Sequence, residues 1–142
     1  MDGNDFISFA SRIAAFQTAG AACYRTAASR AYYGAFHLAR TFLADLNYHC
    51  PGDKEHFWVQ RHFLNCRLRA ATTAGRLLAD LHDSRKVADY RLDTAYADKQ
   101  HHAIACVERA VEFQAQLAEC RAPRNVEMVQ LEMLDYRRRV NL

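Results

Sequence analysis

One face of the first segment carries apolar residues at positions i, i+3, i+7 and i+10, namely Phe6, Phe9, Ile13 and Phe16. That spacing is typical of an amphipathic helix. We predict this helix over residues 5–18, with Asn4 or Asp5 as its N-terminal cap. Gly20 interrupts the pattern, and a second helix, rich in alanine and aromatic residues, is predicted over residues 22–47.

The stretch NYHCPGDK is predicted to form a loop, because Pro-Gly favours a turn. Helical periodicity resumes beyond it, with a third helix over residues 54–66 and a fourth over residues 71–88. Residues 89–94 are expected to lead into a long fifth helix that opens at Asp93. The apolar face of that helix carries Tyr96, Ala103, Val107, Ala110, Phe113 and Leu117.

A break near Pro123 separates the fifth helix from a short sixth helix over residues 126–142. No alternating run of β-branched residues predicts a strand. The sequence therefore predicts an all-α fold, an antiparallel bundle of five or six helices with the second and fifth as its spine. A chain of 142 residues suits one domain. We expect the bundle over residues 1–122 and a C-terminal helical extension of the same domain over residues 123–142.

Charge and composition narrow the class of protein. The net charge is +3, and 16 of the 19 basic residues are arginine, so a nucleic-acid partner is permitted but not required. No apolar run approaches the roughly 20 residues that span a bilayer, and the first residues are acidic, so we expect a cytoplasmic protein without a membrane partner. The five cysteines form no CxxC pair. The spacing of His49, Cys50, His56, His62 and Cys66 matches no zinc pattern, so we expect no metal and no cofactor.

The second helix carries a polar stripe. Arg30 and His37 are seven residues apart, which places them on the same face about 10.5 Å apart along the axis. Tyr33 lies between them, and Arg40 extends the stripe by another turn. The opposite side suits packing, with Ala28, Tyr32, Ala35, Ala39 and Phe42. Packing alone can explain the pair if Arg30 extends to solvent and His37 is a hydrogen-bonded core histidine.

A longer match favours a function for the stripe. The stretch YRTAASRAYYGAFHLARTFL resembles the second-helix signature of the HEPN superfamily, whose pattern is S-R-x-Y-Y-x-x-F-H-x-A-R. The stretch SRKVADYRLD, residues 84–93, resembles the R-x-x-A-D-Y segment that precedes the long last helix in the same superfamily. The resemblance covers roughly residues 5–120. The second element rests on Arg85, Ala88, Asp89 and Tyr90.

This resemblance implies a compact helical bundle that forms a homodimer. Many HEPN domains are metal-independent endoribonucleases with an Arg-x(4–6)-His motif that meets its counterpart across the dimer interface, and Arg30 and His37 fit with six intervening residues. Many prokaryotic members are toxins or phage-defence components paired with a small nucleotidyltransferase. The implied partners are therefore RNA or a nucleotide, and a cognate nucleotidyltransferase antitoxin.

The chemistry of the side chains fits metal-free RNA cleavage. Arginine stays cationic and donates two parallel hydrogen bonds to phosphate oxygens, which is the role expected of Arg30. Histidine titrates near neutral pH, so His37 is expected to serve as general base or acid. Tyr33 is expected to orient the histidine or to contact a base. Arg40 and Arg85 are further candidates for substrate contacts, although Arg85 and Asp89 also fit a simple ion pair one helical turn apart.

One departure from the family pattern leaves alternatives open. Active members usually carry a polar residue directly after the arginine, and this chain has Ala31. The first alternative is a non-catalytic module that binds a nucleotide or a nucleotidyltransferase partner. The second is a purely structural helical dimer, in which Arg30 and His37 are buried apart from each other and from any cleft.

Overall fold

The structure is a computed structural model that describes residues 1–142, and it contains helices and turns but no strands. This confirms the predicted all-α bundle. Short 3-10 helices at Gly52–Lys54 and Ala95–Asp98 precede the third and fifth α-helices. The six α-helices are α1 (Gly3–Ala14), α2 (Ala21–Asp45), α3 (Glu55–Leu64), α4 (Arg69–Tyr90), α5 (Gln100–Arg121) and α6 (Pro123–Arg139).

The central element of the bundle is α2, which packs against α1, α4 and α5. Tyr32 and Phe42 are almost fully buried and fill the larger gaps between helices. The expected contact between α2 and α5 is present, and α4, which is as long as α5, packs against both. Small side chains let the neighbouring helices approach α2 closely, and they are Ala27, Ala28, Ala31, Gly34, Ala35 and Ala39.

The closest approach in the bundle is between α1 and α2, at Gly3 and Gly34. A Cβ atom on Gly3 would lie 2.4 Å from the carbonyl oxygen of Gly34, and one on Gly34 would lie 2.5 Å from Cγ1 of Ile7. Side chains do not pack at such distances, so only glycine fits at both positions. The crossing therefore fixes α1 against the middle of α2, within the stripe from Arg30 to His37.

The face that α1 buries is not the predicted one. Phe9 is 42% exposed, and Phe16, which lies beyond the end of α1, is 65% exposed. Phe6 and Ile13 are half-buried. The close crossing explains this difference, because it accepts only small or slender side chains. The residues that α1 buries are Gly3, Ile7, Ala10 and Ala14.

The first helix also begins and ends earlier than predicted. Its N-cap is Asp2, whose carboxylate accepts hydrogen bonds from the backbone N–H groups of Asn4 and Asp5. The Asp5 carboxylate in turn accepts a hydrogen bond from the backbone N–H of Asp2. This capping box starts the helix at Gly3, and the helix ends at Ala14 rather than at residue 18.

Arg25 ties α2 to the segment between α4 and α5. Its side chain is 10% exposed, and its Nε donates to the Asp98 carboxylate at 2.5 Å. The guanidinium satisfies the carbonyl oxygen of Ala88, which the last turn of α4 leaves without a backbone partner, and it holds the following residues in a turn. Its Nη groups donate to the backbone carbonyl oxygens of Val87, Ala88, Arg91, Leu92 and Thr94.

Three predictions for this segment are wrong. Asp93 lies in a turn and does not open a helix, and Tyr96 lies in a 3-10 helix and is 51% exposed. Asp89 and Tyr90, which were expected in the connection, form the end of α4. The reason is that Arg25 is buried and its donors need acceptors. Its hydrogen bonds therefore join residues about 60 to 70 positions apart in the sequence.

His62 of α3 attaches α6 to the bundle. The imidazole is fully buried, its Nδ1–H donates to the carbonyl oxygen of Trp58 at 2.7 Å, and its Nε2 accepts from Nη1 of Arg137 at 3.2 Å. With one nitrogen donating and the other accepting, the ring is neutral. The apolar face that α6 buries consists of Val129, Met133 and Tyr136.

Replacement of Arg25 with methionine is expected to lower the free energy of unfolding by about 3 kcal/mol, because it leaves the carbonyl oxygens of Ala88 and Leu92 without a donor and the Asp98 carboxylate without its ion-pair partner. Urea denaturation followed by circular dichroism measures the change. Arg76→Met is the matched control, since Arg76 is exposed on α4, and its effect is expected to stay within about 0.5 kcal/mol. Equal effects of the two substitutions would contradict the role of Arg25.

Acid is expected to weaken the bundle at His62. Burial lowers the pKa of His62, against its hydrogen bond to Trp58, and the Arg137 guanidinium lowers it further. The folded-state pKa is below the unfolded value of about 6.5, so the stabilisation is complete above about pH 6.5 and is lost as the pH falls toward the folded-state pKa.

The free energy of unfolding of His62→Gln should therefore fall less steeply from about pH 7.5 to about pH 5.5 than that of the native protein. Urea denaturation across this range measures the slope. His101→Gln, at an exposed position of α5, serves as the control and should keep the native slope. A native slope in His62→Gln would rule out this contribution.

Candidate functional site

The stripe on α2 lies at the surface, beside the crossing with α1. Arg30, Tyr33 and His37 are half-buried, and Arg40 is exposed. The stripe therefore reaches solvent, whereas a purely structural role predicts full burial of Arg30 and His37. The opposite side of α2 is buried as predicted, at Ala28, Tyr32, Ala35, Ala39 and Phe42.

The Phe6 ring lies against both members of the arginine–histidine pair. Cζ of Arg30 is 5.7 Å from the centre of this ring. The His37 imidazole stacks on the same ring, with 5.5 Å between the two centres and 22° between the planes. Sequence reasoning placed Phe6 only on an apolar face of α1, since the crossing that brings it to Arg30 and His37 joins two separate helices.

Arg30 and His37 line different grooves of the surface. Arg30 borders a groove of about 360 Å³ together with Phe6, Phe9 and Arg12. His37 borders two others, of about 500 Å³ and about 460 Å³, on the side of α2 that leads to its C-terminal end. One copy of the chain therefore presents the two groups to solvent from separate grooves.

The environment of His37 favours its neutral form. Burial lowers the pKa of His37, and the guanidinium of Arg40 lowers it further, while the carboxylate of Glu55 opposes this effect. Arg40 Nε lies 2.7 Å from Glu55 Oε1, so the two form an ion pair between α2 and the start of α3. A neutral imidazole is the form that accepts a proton as a general base.

Tyr33 is held by Arg85 of α4. Nη2 of Arg85 donates to the Tyr33 hydroxyl, and Cζ of Arg85 lies 5.2 Å from the Tyr33 ring centre and 5.3 Å from that of Tyr90. The predicted ion pair of Arg85 with Asp89 is present at 3.0 Å, and Asp89 also accepts a hydrogen bond from Ser29. These contacts hold the Tyr33 side chain against α4.

Behind the stripe lies a cluster that sequence reasoning missed. The hydroxyl of Tyr32 is hydrogen-bonded to Nδ1 of His56, and the His56 and His82 rings stack with 5.6 Å between their centres. Burial lowers the pKa of both histidines, and Arg85 lowers that of His56 further. The three residues come from α2, α3 and α4, so no local sequence pattern signals that they meet.

The described chain contains no group of three or more His, Cys, Asp and Glu side chains placed to hold a metal ion. None of its helices combines the length and apolar character that crossing a membrane requires. Comparison with known proteins found no match among protein-family models, curated proteins or solved structures.

Proposed function

We propose that the chain is a HEPN-type, metal-independent endoribonuclease that acts in the cytoplasm, as the toxin or defence half of a pair with a nucleotidyltransferase. The observation that carries this proposal is the position of Arg30 and His37. They lie half-buried on one stripe of α2, on the side away from the buried residues Ala28, Tyr32 and Ala35, and both contact the ring of Phe6.

The reaction follows from the two side chains. Neutral His37 takes the proton of a ribose 2′-hydroxyl, and the 2′-oxygen attacks the neighbouring phosphorus. The bond from phosphorus to the 5′-oxygen breaks, and that oxygen leaves with a proton from an acid, so that a 2′,3′-cyclic phosphate remains. Arg30 stabilises the negative charge that develops on the phosphate oxygens.

The proposed enzyme is a homodimer. Arg30 and His37 of one copy border separate grooves, and two copies around a two-fold axis supply two arginines and two histidines, one histidine as base and the other as acid. The exposed part of α1 favours such an interface, because Phe9, which is 42% exposed, and the half-buried Phe6 line the same groove as Arg30. Apolar patches of this kind mark contact surfaces.

Ala31 supports the second candidate, a non-catalytic module that binds a nucleotide or the nucleotidyltransferase. Its side chain is fully buried, so the residue after Arg30 contributes no polar atom to either groove. In that case the stripe holds a phosphate without cleaving it. This candidate is favoured over the first if the native protein cleaves no RNA but binds a nucleotide or the nucleotidyltransferase, and if substitution of Arg30 or His37 abolishes that binding.

Purified native protein is expected to cleave a mixed-sequence RNA in EDTA and to leave cyclic-phosphate ends. His37→Ala and Arg30→Ala should each lower the rate by at least about 100-fold, since each removes a group that acts in the transition state. Gel electrophoresis and end analysis measure this, with circular dichroism as the check on folding.

The controls for cleavage are His101→Ala and Arg76→Ala, which change the same residue types at exposed positions of α5 and α4. Both are expected to cleave at the native rate. If the native protein cleaves no faster than His37→Ala and Arg30→Ala, catalysis by this pair is excluded and the binding module becomes the better hypothesis.

Phe9→Ser is expected to shift the protein from dimer to monomer and to lower RNA cleavage with it, because the substitution makes the exposed face of α1 polar. Sedimentation velocity measures the oligomeric state. Leu131→Ser changes a more exposed apolar residue, on α6, and should leave a dimer. A native protein that sediments as a monomer at all concentrations would refute the dimer.

A further inference from the structure

The groove beside His37 has the size and lining of a small-molecule pocket. It lies between the end of α2, the loop that follows and the start of α3, and its volume of about 460 Å³ suits one nucleoside. Leu43 and Val59 line its apolar part and are almost fully buried.

The polar part of the groove is the ion pair of Arg40 and Glu55. The pair joins Nε of Arg40 to Oε1 of Glu55 at 2.7 Å, which leaves for a ligand the Nη groups, Oε2 and the second lone pair of Oε1. Glu55 is the first residue of α3, where the helix dipole favours its negative charge. The Arg40 side chain is 56% exposed, and an ion pair so open to solvent contributes at most about 1 kcal/mol to stability.

We infer that this groove is a pocket for a guanine base, an inference that rests on the ribonuclease function proposed above. Guanine alone among the four RNA bases presents two adjacent N–H donors, N1–H and the N2 amino group, which match the two oxygens of one carboxylate. Its O6 lies next to these donors and accepts from an arginine. Glu55 and Arg40 therefore match the edge of guanine.

The position of His37 in the same groove sets the cleavage site. A guanine in the pocket brings its own ribose to the imidazole, so that His37 takes the proton of that ribose. The bond that breaks is then on the 3′ side of guanosine. The groove thus determines which base is recognised. Arg30, which borders a different groove, stabilises the negative charge on the phosphate.

Binding tests the pocket independently of catalysis. Calorimetric titration with guanosine 3′-monophosphate should give an affinity at least about tenfold higher than titration with the adenosine, cytidine or uridine 3′-monophosphates. Glu55→Gln, which keeps the shape of the side chain but turns one oxygen into a donor, should remove this preference. Glu127→Gln is the matched control on α6, where the side chain is exposed, and should keep it.

Cleavage distinguishes failure of the pocket from failure of the proposed function. If the native protein cuts after guanosine and Glu55→Gln cuts without base preference, both the guanine pocket and the ribonuclease function are supported. Cuts without base preference in the native protein overturn the pocket and leave the ribonuclease intact. Selective binding of guanosine 3′-monophosphate without cleavage supports the pocket and overturns catalysis, and equal or absent binding of all four nucleotides overturns the pocket. If Glu55→Gln does not fold, Arg40→Ala replaces it, with the same loss of preference expected.

Discussion

The crossing of α1 and α2 at Gly3 and Gly34 is the constraint on which the functional surface depends. The two backbones come so close there that neither glycine can carry a side chain. This contact places the Phe6 ring against Arg30 and His37 and turns Phe9 outward. Because a packed interior does not deform continuously, one contact between small residues decides which part of α2 is covered and which part is open to a ligand.

Buried polar side chains hold the other junctions of the bundle. Arg25 gathers the chain between α4 and α5, and His62 joins α3 to α6. Such groups are costly inside a protein unless they are hydrogen-bonded. Arg25 donates to acceptors on a distant segment, whereas His62 donates to Trp58 within α3 and accepts from Arg137 of α6. Arg30 and Arg40 differ from Arg25, since they are partly exposed and contact aromatic rings or a single carboxylate. Arg25 therefore has a structural role, whereas Arg30 and Arg40 keep donors that a ligand could use.

The proposed chemistry combines two neighbouring surfaces that have different roles. The groove at Arg30 adjoins the exposed aromatic face of α1, which suits a second copy of the chain and the phosphate between the copies. The groove at His37 carries the ion pair of Arg40 and Glu55, which suits the edge of a base. The Phe6 ring contacts both Arg30, which borders the first groove, and His37, which borders the second, so the proposal places phosphate charge and base recognition in neighbouring grooves along one helix.

The sequence by itself determined which side chains lie next to each other along a single helix. The spacing of Arg30, Tyr33 and His37, and the ion pair of Arg85 with Asp89, follow from 3.6 residues per turn. The all-α class follows equally from local periodicity and the lack of strand patterns. The face that α1 buries, the carbonyl oxygens around Arg25, and the meeting of Arg40 with Glu55 were decided only by the tertiary structure. Helical geometry fixes neighbours along one helix, whereas contacts between helices depend on which faces pack and on the acceptors that buried polar groups require.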